Sequence, residues 1–553
     1  MSIPISLEQH SEPAEQATHI PCVDPATREP LGEVRIDSPE DVDAAVARAK
    51  VAQQAWRKTS FEERRKVLRQ LLAYTVENKD EICLAVQRDS GKTRENALMG
   101  EIWPTCEKFR WTINNGEKHL RPERVSSGLL VHKKAHLEYH PLGVLAAIIP
   151  WNYPFQNIVN PLIPALMSGN AIVLKPSEWV AWSSAKFIDA LREVVEEAGH
   201  NPDLIQAVQG YGPTGAALAR SAVDTILFIG SVNNGRRVVE ASAERVIPVV
   251  MELGGKDAFI VCDDADLEQA VHSSLAGCYI NCGQNCVASE RILVYDAIYD
   301  AFEKRASELV REFRQGSSRE RVVDVGAIVT PLQIDIIEKA VNGAVEQGAR
   351  VVTGGKRTLG DKGDYFEPTI LADVTPHMDI AQEEVFGPVM LLIRVRDDAD
   401  AVKVANGVSY GLSSSVFSKS RARARKIATE LEAGMSSINE FGGVTYMAQD
   451  LTFGGVKASG YGRMNGREGL RSMCNIKAVV DDRLPIHQPS RVFPVAEKDY
   501  GVFSGVIELI YGSTSWSAGA RLDASWPRSW RMIRATACSS SKAGRLPKSI
   551  QRP

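Results

Sequence analysis

From Val144 onward the sequence alternates short apolar runs with stretches whose apolar residues recur at helical spacing. No other feature restricts the fold as much. "VLAAII" and "NAIVL", the second ending at Lys175, read as buried strands. Ser183 or Ser184 is placed to cap the helix "AKFIDALREVVEEA", which Gly199 closes. "LIQAVQG" and "DTILFIG" read as strands, and "TGAALARSA" and "NNGRRVVEASAE" as helices. Such crossovers are right-handed and build a parallel, doubly wound α/β sheet of the nucleotide-binding type. A second α/β run starts near Gly254 and includes "DAFIV", "RILVYDAIYDAFEKRASELVREF", "VMLLIRV" and "SSSVFS". Before the sheets, helical periodicity dominates from Pro39 to Glu117, and "LLVHKKAHLEYHPLG" reads as an extended segment or hairpin. No repeat of 20–50 residues is present.

Pro141 to Leu174 carries no charged side chain and is long enough to span a bilayer. Pro150, Pro154, Pro161 and Pro164 interrupt it and four asparagines would need partners in lipid, so two strands flanking a loop and a helix fit better. The 553 residues, 44% apolar with net charge −4, describe an ordinary globular chain of several domains and give no electrostatic reason to expect a nucleic-acid partner. Nine cysteines do not make a disulfide scaffold at this length. The first residues have neither a basic nor an apolar signal region, so a reducing cytoplasmic location is expected. The end differs in composition: "VAEKDYGVFSGVIELIYG" reads as an amphipathic helix. The stretch after it holds six Arg, two Lys, one Asp and three Trp, a tail expected to be disordered, with a membrane-surface or partner contact, or an altered reading frame or unspliced end, as the alternatives.

"CYINCGQNC" places Cys278, Cys282 and Cys286 four residues apart. Zinc sites favour CxxC pairs or histidine partners, and neither is near, so no metal is expected. At helical spacing the three cysteines would share one face, but Gly283 should end or distort that helix and leave Cys286 in a loop, where an exposed thiol is a nucleophile. In "VVMELGGKD", Glu252 lies among apolar residues before two glycines that allow close backbone approach, a setting for a general base. In "PWNYPF", prolines fix the backbone around Asn152, whose amide can stabilise an oxyanion. Lys175 and Glu178 of "LKPSE" follow a strand where open α/β sheets bind ligands, and an acid there favours a ribose 2′-hydroxyl over a 2′-phosphate. Gly230 and Gly235 of "FIGSVNNG" follow a strand and open a helix without forming GxGxxG.

In order, "PWNYPF", "KPSE", "FIGS…G", "MELGGKD", "GQNCVASER", "EEVFGPV" and "FGGVKASGYGR" resemble the aldehyde dehydrogenase superfamily over residues 20 to 485, with a style most similar to a plant and fungal branch. The resemblance implies Cys286 as nucleophile, Glu252 as general base, and Asn152 with the Cys286 backbone N–H as oxyanion hole. It implies Lys175 and Glu178 at the adenosine ribose, Gly230, Ser231 and Gly235 at the pyrophosphate turn, Glu384 and Phe386 at the nicotinamide riboside, and Trp151 beside them. It further implies NAD rather than NADP, an aldehyde substrate, no metal, and a homodimer or homotetramer.

The domains expected are a cofactor-binding domain (1–121 and 142–253), a catalytic domain (254–466), an oligomerisation segment (122–141 and 467–485) and a C-terminal extension (486–553). Two features depart from the family pattern: Thr452 replaces the usual proline before "FGG", and "VNN" follows Ser231. Alternatives are a semialdehyde or NADP-preferring dehydrogenase, or an idle interaction protein of the same fold. Side chains near Trp103, Trp111, Tyr153, Asn285, Val287 and Tyr446 are expected to select the aldehyde.

Overall fold

The computed structural model describes residues 17–319, 321–358, 363–483 and 493–512. Residues 1–16 and the basic tail from residue 513, expected to be disordered, lie outside the described residues.

The charge-free segment folds as two strands around a buried helix. Val144–Ile149 pairs in parallel with Ala171–Pro176, and Pro154–Ser168 connects them. Every residue of that helix is buried, including Pro161 and Pro164 in its interior. Its last carbonyls are met by side chains from the helices Pro39–Trp56 and Phe61–Glu77. Trp56 Nε1 donates to Leu166 O at 3.0 Å and Arg64 Nη1 to Met167 O at 3.2 Å. Just beyond the helix, Gln53 Nε2 donates to Gly169 O at 3.1 Å. Buried helix ends need such partners, and here the neighbouring helices supply them.

Six strands form the first sheet, in the order Gly460–Tyr461, Val249–Leu253, Thr225–Gly230, Val144–Ile149, Ala171–Pro176, Ile205–Ala207. All neighbours with a recorded register are parallel except Gly460–Tyr461, which runs antiparallel at the edge. The chain leaves Val144–Ile149 in one direction and returns to its other side at Thr225–Gly230, making a switch point at which open sheets bind ligands. Gly460–Tyr461 comes from the stretch expected in the catalytic domain, yet it completes this first sheet.

The second sheet has seven strands, with Val389–Val395, Arg291–Tyr295, Ala258–Val261 and Ser414–Phe417 at its centre, all parallel. Lys133–Pro141 sits between Glu123–Val125 and Cys474–Asp482 in a separate three-stranded sheet. The expected extended segment at 129–143 is therefore a central strand.

One sequence expectation fails locally. Ser183 and Ser184 do not cap a helix: the helix starts at Ala181, and both serines lie inside it, fully buried. Ser183 instead offers its backbone N–H to Asp89 Oδ2 at 2.7 Å. Gly283 closes a distorted 3₁₀ turn, Ile280–Gly283, before Cys286: the α-helix Leu267–Tyr279 stops four residues earlier, and Asn281 and Cys282 take left-handed φ values of 54° and 56°.

The chain divides into two units, Met1–Asp481 and Asp482–Pro553, and the second is described by itself. Its described part contains the helix Asp499–Tyr511, within the segment expected to be helical.

Candidate active site

The expected site residues fall at the carboxyl ends of parallel strands. Trp151 and Asn152 follow Val144–Ile149, Glu178 follows Ala171–Pro176, and Ser231 follows Thr225–Gly230. Glu252 is the fourth residue of Val249–Leu253.

The loop that carries Cys286 is held by side-chain amides. Asn281 Nδ2 donates to Asn152 O at 2.9 Å and to Gln284 O at 3.0 Å. Gln284 Nε2 reaches Asn281 O and Ala327 O, while its Oε1 accepts from Val329 N at 2.9 Å. Asn281 N donates to Asn96 Oδ1 at 2.6 Å. This lattice maintains a left-handed Cys282, a conformation that costs a β-carbon-bearing residue on the order of 1–3 kcal/mol. Gly283 has φ 70°, and a Cβ there would strike the Gly387 carbonyl. A Cβ at Gly255 would likewise strike the Cys286 carbonyl, so "ELGG" and "GQNC" touch backbone to backbone.

Asn152 Nδ2 donates to Gln284 O at 3.2 Å, two residues before Cys286, and its Oδ1 accepts from Asn157 Nδ2 at 3.2 Å. Its backbone carbonyl also accepts from Lys92 Nζ at 2.9 Å. Lys92 and Glu101 form a buried ion pair at 2.5 Å, and Glu101 Oε2 accepts the backbone N–H groups of Phe155 and Gln156. Thus one ion pair anchors both sides of "PWNYPF".

Glu252 is 2% exposed. Burial raises its carboxyl to about 8; hydrogen bonding with Cys286 pulls it down, and the charge of Asp257 pushes it up. Oε1 has no hydrogen-bond partner. The Cys286 thiol is pushed well above its ordinary value by burial, with Glu252, Glu384 and Asp257 adding to the shift. Cys278 and Cys282 are buried, and burial is the largest cause raising both thiols.

The residues expected around the nicotinamide converge from the second sheet. Gly255 N donates to Glu384 Oε1 at 3.0 Å, and a Cβ at Gly254 would collide with the same carboxyl. Burial and the neighbouring Glu290 raise Glu384 well above the carboxylate range. Phe386 has φ 53°, and its ring meets Trp151 edge-on at 5.4 Å. Its N–H is held by Glu290, which also pairs with the buried Lys256.

Across the sheet, Lys175 is buried and lies 3.5 Å from Glu178. Ser231 caps the helix Val232–Ala243 by accepting from Asn234 N, and Gly235 packs on Met251 and Leu253.

Of the residues expected to select the aldehyde, Tyr153 and Tyr446 flank the thiol. Each feels the Cys286 charge, and Tyr446 also feels Glu252. Tyr153 lies under Lys92 Nζ at 3.8 Å from its ring centre, and Tyr446 OH accepts from Gln156 Nε2. Trp111 is buried and donates to Asp450 Oδ1 at 2.7 Å, whereas Trp103 is 61% exposed. Sequence reasoning missed Lys92, Glu101, Asn281 and Gln284. Gln284 at least stands in "GQNC", but nothing local marks Lys92 or Glu101.

The aldehyde dehydrogenase family model matches residues 12–479. A Schizosaccharomyces pombe protein described only as aldehyde dehydrogenase-like is 38% identical over 503 residues, covering 89% of this chain and 96% of its own. A Staphylococcus aureus betaine aldehyde dehydrogenase point mutant, solved with NAD⁺ and a mercaptoethanol-modified cysteine, superposes with a TM-score of 0.80. It is 30% identical, over 86% of this chain and 96% of that one. An Escherichia coli NADP-dependent enzyme gives 0.78 at 31% identity, over 84% and 95%. With seven ordered motifs meeting on this fold and a family match across most of its length, the chain belongs to the aldehyde dehydrogenase family.

Proposed function

We propose that the chain oxidises an aldehyde to its carboxylic acid with NAD, through a thiohemiacetal and then a thioester on Cys286. The observation that carries this reading is the backbone contact of "ELGG" with "GQNC", which sets the Cys286 thiol and the buried Glu252 carboxyl near enough for each to shift the other's titration. A neutral thiol is a poor nucleophile, so it must lose its proton as it attacks. Glu252 is the neighbour able to take that proton, and with a value near 8 it does so increasingly as pH rises. The oxygen of the tetrahedral adduct would be stabilised by the Cys286 backbone N–H and by Asn152 Nδ2, once that amide releases Gln284 O. After hydride loss the thioester remains on Cys286; Glu252 releases the thiol proton to solvent and then draws a proton from the water that hydrolyses the thioester, freeing the acid and the Cys286 sulfur.

The residues present fit a nicotinamide dinucleotide. A buried Lys175 beside Glu178, a serine-capped helix after Thr225–Gly230, and the Glu384–Phe386–Trp151 cluster are laid along one switch-point edge. When bound, the nicotinamide supplies the hydride acceptor. Glu178 favours NAD over NADP, because a carboxylate accepts from a 2′-hydroxyl and repels a 2′-phosphate.

Cys474–Asp482 presents Ile476 and Val480 to solvent beside Lys133–Pro141, which suits strand pairing between subunits in a homodimer or homotetramer. NAD⁺ reduction with an aldehyde panel tests the activity. No reduction with any aldehyde and either cofactor would overturn it, and faster NADP⁺ use would overturn the role of Glu178.

A further inference from the structure

We propose that Lys108 anchors a second binding site in this chain, a cavity that takes a small hydroxycarboxylate. Among the described residues four lysines are buried: Lys92, Lys108, Lys175 and Lys256. Three of them have a carboxylate. Lys92 pairs with Glu101, Lys175 with Glu178 and Lys256 with Glu290. Lys108 is 4% exposed, and its Nζ donates instead to two neutral amides, Asn160 Oδ1 and, at 2.7 Å, Asn465 Oδ1. An ammonium has three N–H bonds, so one N–H and the full charge are left without an answering group. Burial, with no charge to offset it, pulls this ammonium down to about 7.

Lys108 lines a cavity of about 210 Å³, with Trp111, Pro164, Gln449, Asn465 and Leu470 among its other walls. Gln449 is the second, independent mark. It is 3% exposed, its Nε2 donates to Tyr446 O at 2.6 Å, and its Oε1 has no hydrogen-bond partner among the described residues. A buried cation without a counter-charge favours an anion, and a buried acceptor without a partner favours a donor. A molecule carrying one carboxylate and one hydroxyl supplies both. One lysine balances one negative charge, and Trp111, Pro164 and Leu470 suit a short apolar body. The volume lies below the roughly 300 Å³ at which sites for drug-sized ligands begin, so the ligand has few non-hydrogen atoms. Asp450 does not compete for Lys108, because it accepts from Trp111 Nε1 at 2.7 Å. Neither Cys286 nor Glu252 lines the cavity, but through Gln449 it is one hydrogen bond from Tyr446, which flanks the thiol.

Titration calorimetry of the full-length protein with sodium lactate and sodium glycolate tests this, with sodium propionate and sodium chloride for comparison. Lactate should bind about tenfold more tightly than propionate, which has the carboxylate but no hydroxyl to offer Gln449. Chloride should give no saturable heat. Lys108→Met should abolish lactate binding. Gln449→Met should bring lactate down to the propionate level and leave propionate unchanged, and it keeps the test open if Lys108→Met does not fold. Cys286→Ala should bind lactate as the wild type does, which separates this cavity from the aldehyde site and makes the outcome independent of the dehydrogenase reading. Absence of saturable binding with both hydroxycarboxylates would overturn the proposal. So would equal affinity for lactate and propionate, full lactate binding by Lys108→Met, or loss of it in Cys286→Ala.

Discussion

Glu101 and Glu252 are both buried carboxylates beside Asn152 and Cys286, yet they are held in opposite ways. Glu101 is 0% exposed, faces the Lys92 ammonium and accepts two backbone N–H groups. Glu252 is just as enclosed, but it has no cation, leaves one oxygen unpartnered and keeps its proton to about 8. A satisfied buried ion positions, whereas an unsatisfied one exchanges protons. The chain places one of each on either side of the same loop.

The comparison is broken or sharpened by substitution. The largest effect is expected at Cys286→Ala: turnover should fall by about 10³-fold or more with cofactor binding retained. If Cys286→Ala keeps its activity, Glu252 serves some other group. The same change removes a hydrogen bond that lowers Glu252, so the carboxyl should titrate still higher by infrared difference spectroscopy.

Next is Lys92→Met. Leaving Glu101 buried and unpaired should cost about 3–5 kcal/mol in denaturant unfolding, and Lys92→Met with Glu101→Gln should recover part of it. A loss within about 0.5 kcal/mol would mean that the pair contributes no positioning.

Glu252→Gln should do the reverse and stabilise the fold. Between about pH 4.5 and about 8 the folded protein keeps a proton that the unfolded chain has released, so wild-type stability from this group declines as pH rises through that window. The variant lacks that decline, and its advantage should grow to a few kcal/mol by about pH 8. In rapid mixing its hydride burst should be slowed or lost, because the attacking thiol then lacks its proton acceptor. A full burst followed by a stall at the thioester would show that Glu252 is required for hydrolysis alone.

The smallest effect is expected at Cys282→Ala. Its thiol is raised by burial, with no carboxylate involved, and it sits in the same loop. Turnover should stay within about threefold and stability within about 1.5 kcal/mol. A loss comparable to that of Cys286→Ala would show that the loop acts through both cysteines.

The strand and helix order around the site was legible because it rests on local periodicity. "VLAAII", "NAIVL" and "DTILFIG" are strands where expected, and the residues following them stand at the switch-point edge. The seven motifs kept their order, so Cys286, Glu252 and Asn152 could be named before any contact was known. Capping was less legible. Ser183 and Ser184 have the right chemistry for a helix start, but Asp89, 94 residues away, holds Ser183 inside the helix.

The two apolar helices mark the limit of that reading. Pro154–Ser168 and Asp499–Tyr511 are similarly apolar by sequence, yet one is wholly buried and the other has no buried residue. Composition fixes the free energy available from burial, and a partner surface determines whether it is realised.

Sequence alone established the α/β order and the family resemblance and named the candidate side chains for the chemistry, because spacing and residue type are properties of neighbours in the chain. Tertiary structure established that Lys92 serves Asn152 and that Asn281 and Cys282 take left-handed conformations. It also established that Gly460–Tyr461 closes the first sheet and that Glu252 lacks a cation. Those outcomes depend on groups tens to hundreds of residues apart, whose meeting and desolvation leave no periodic trace in the sequence.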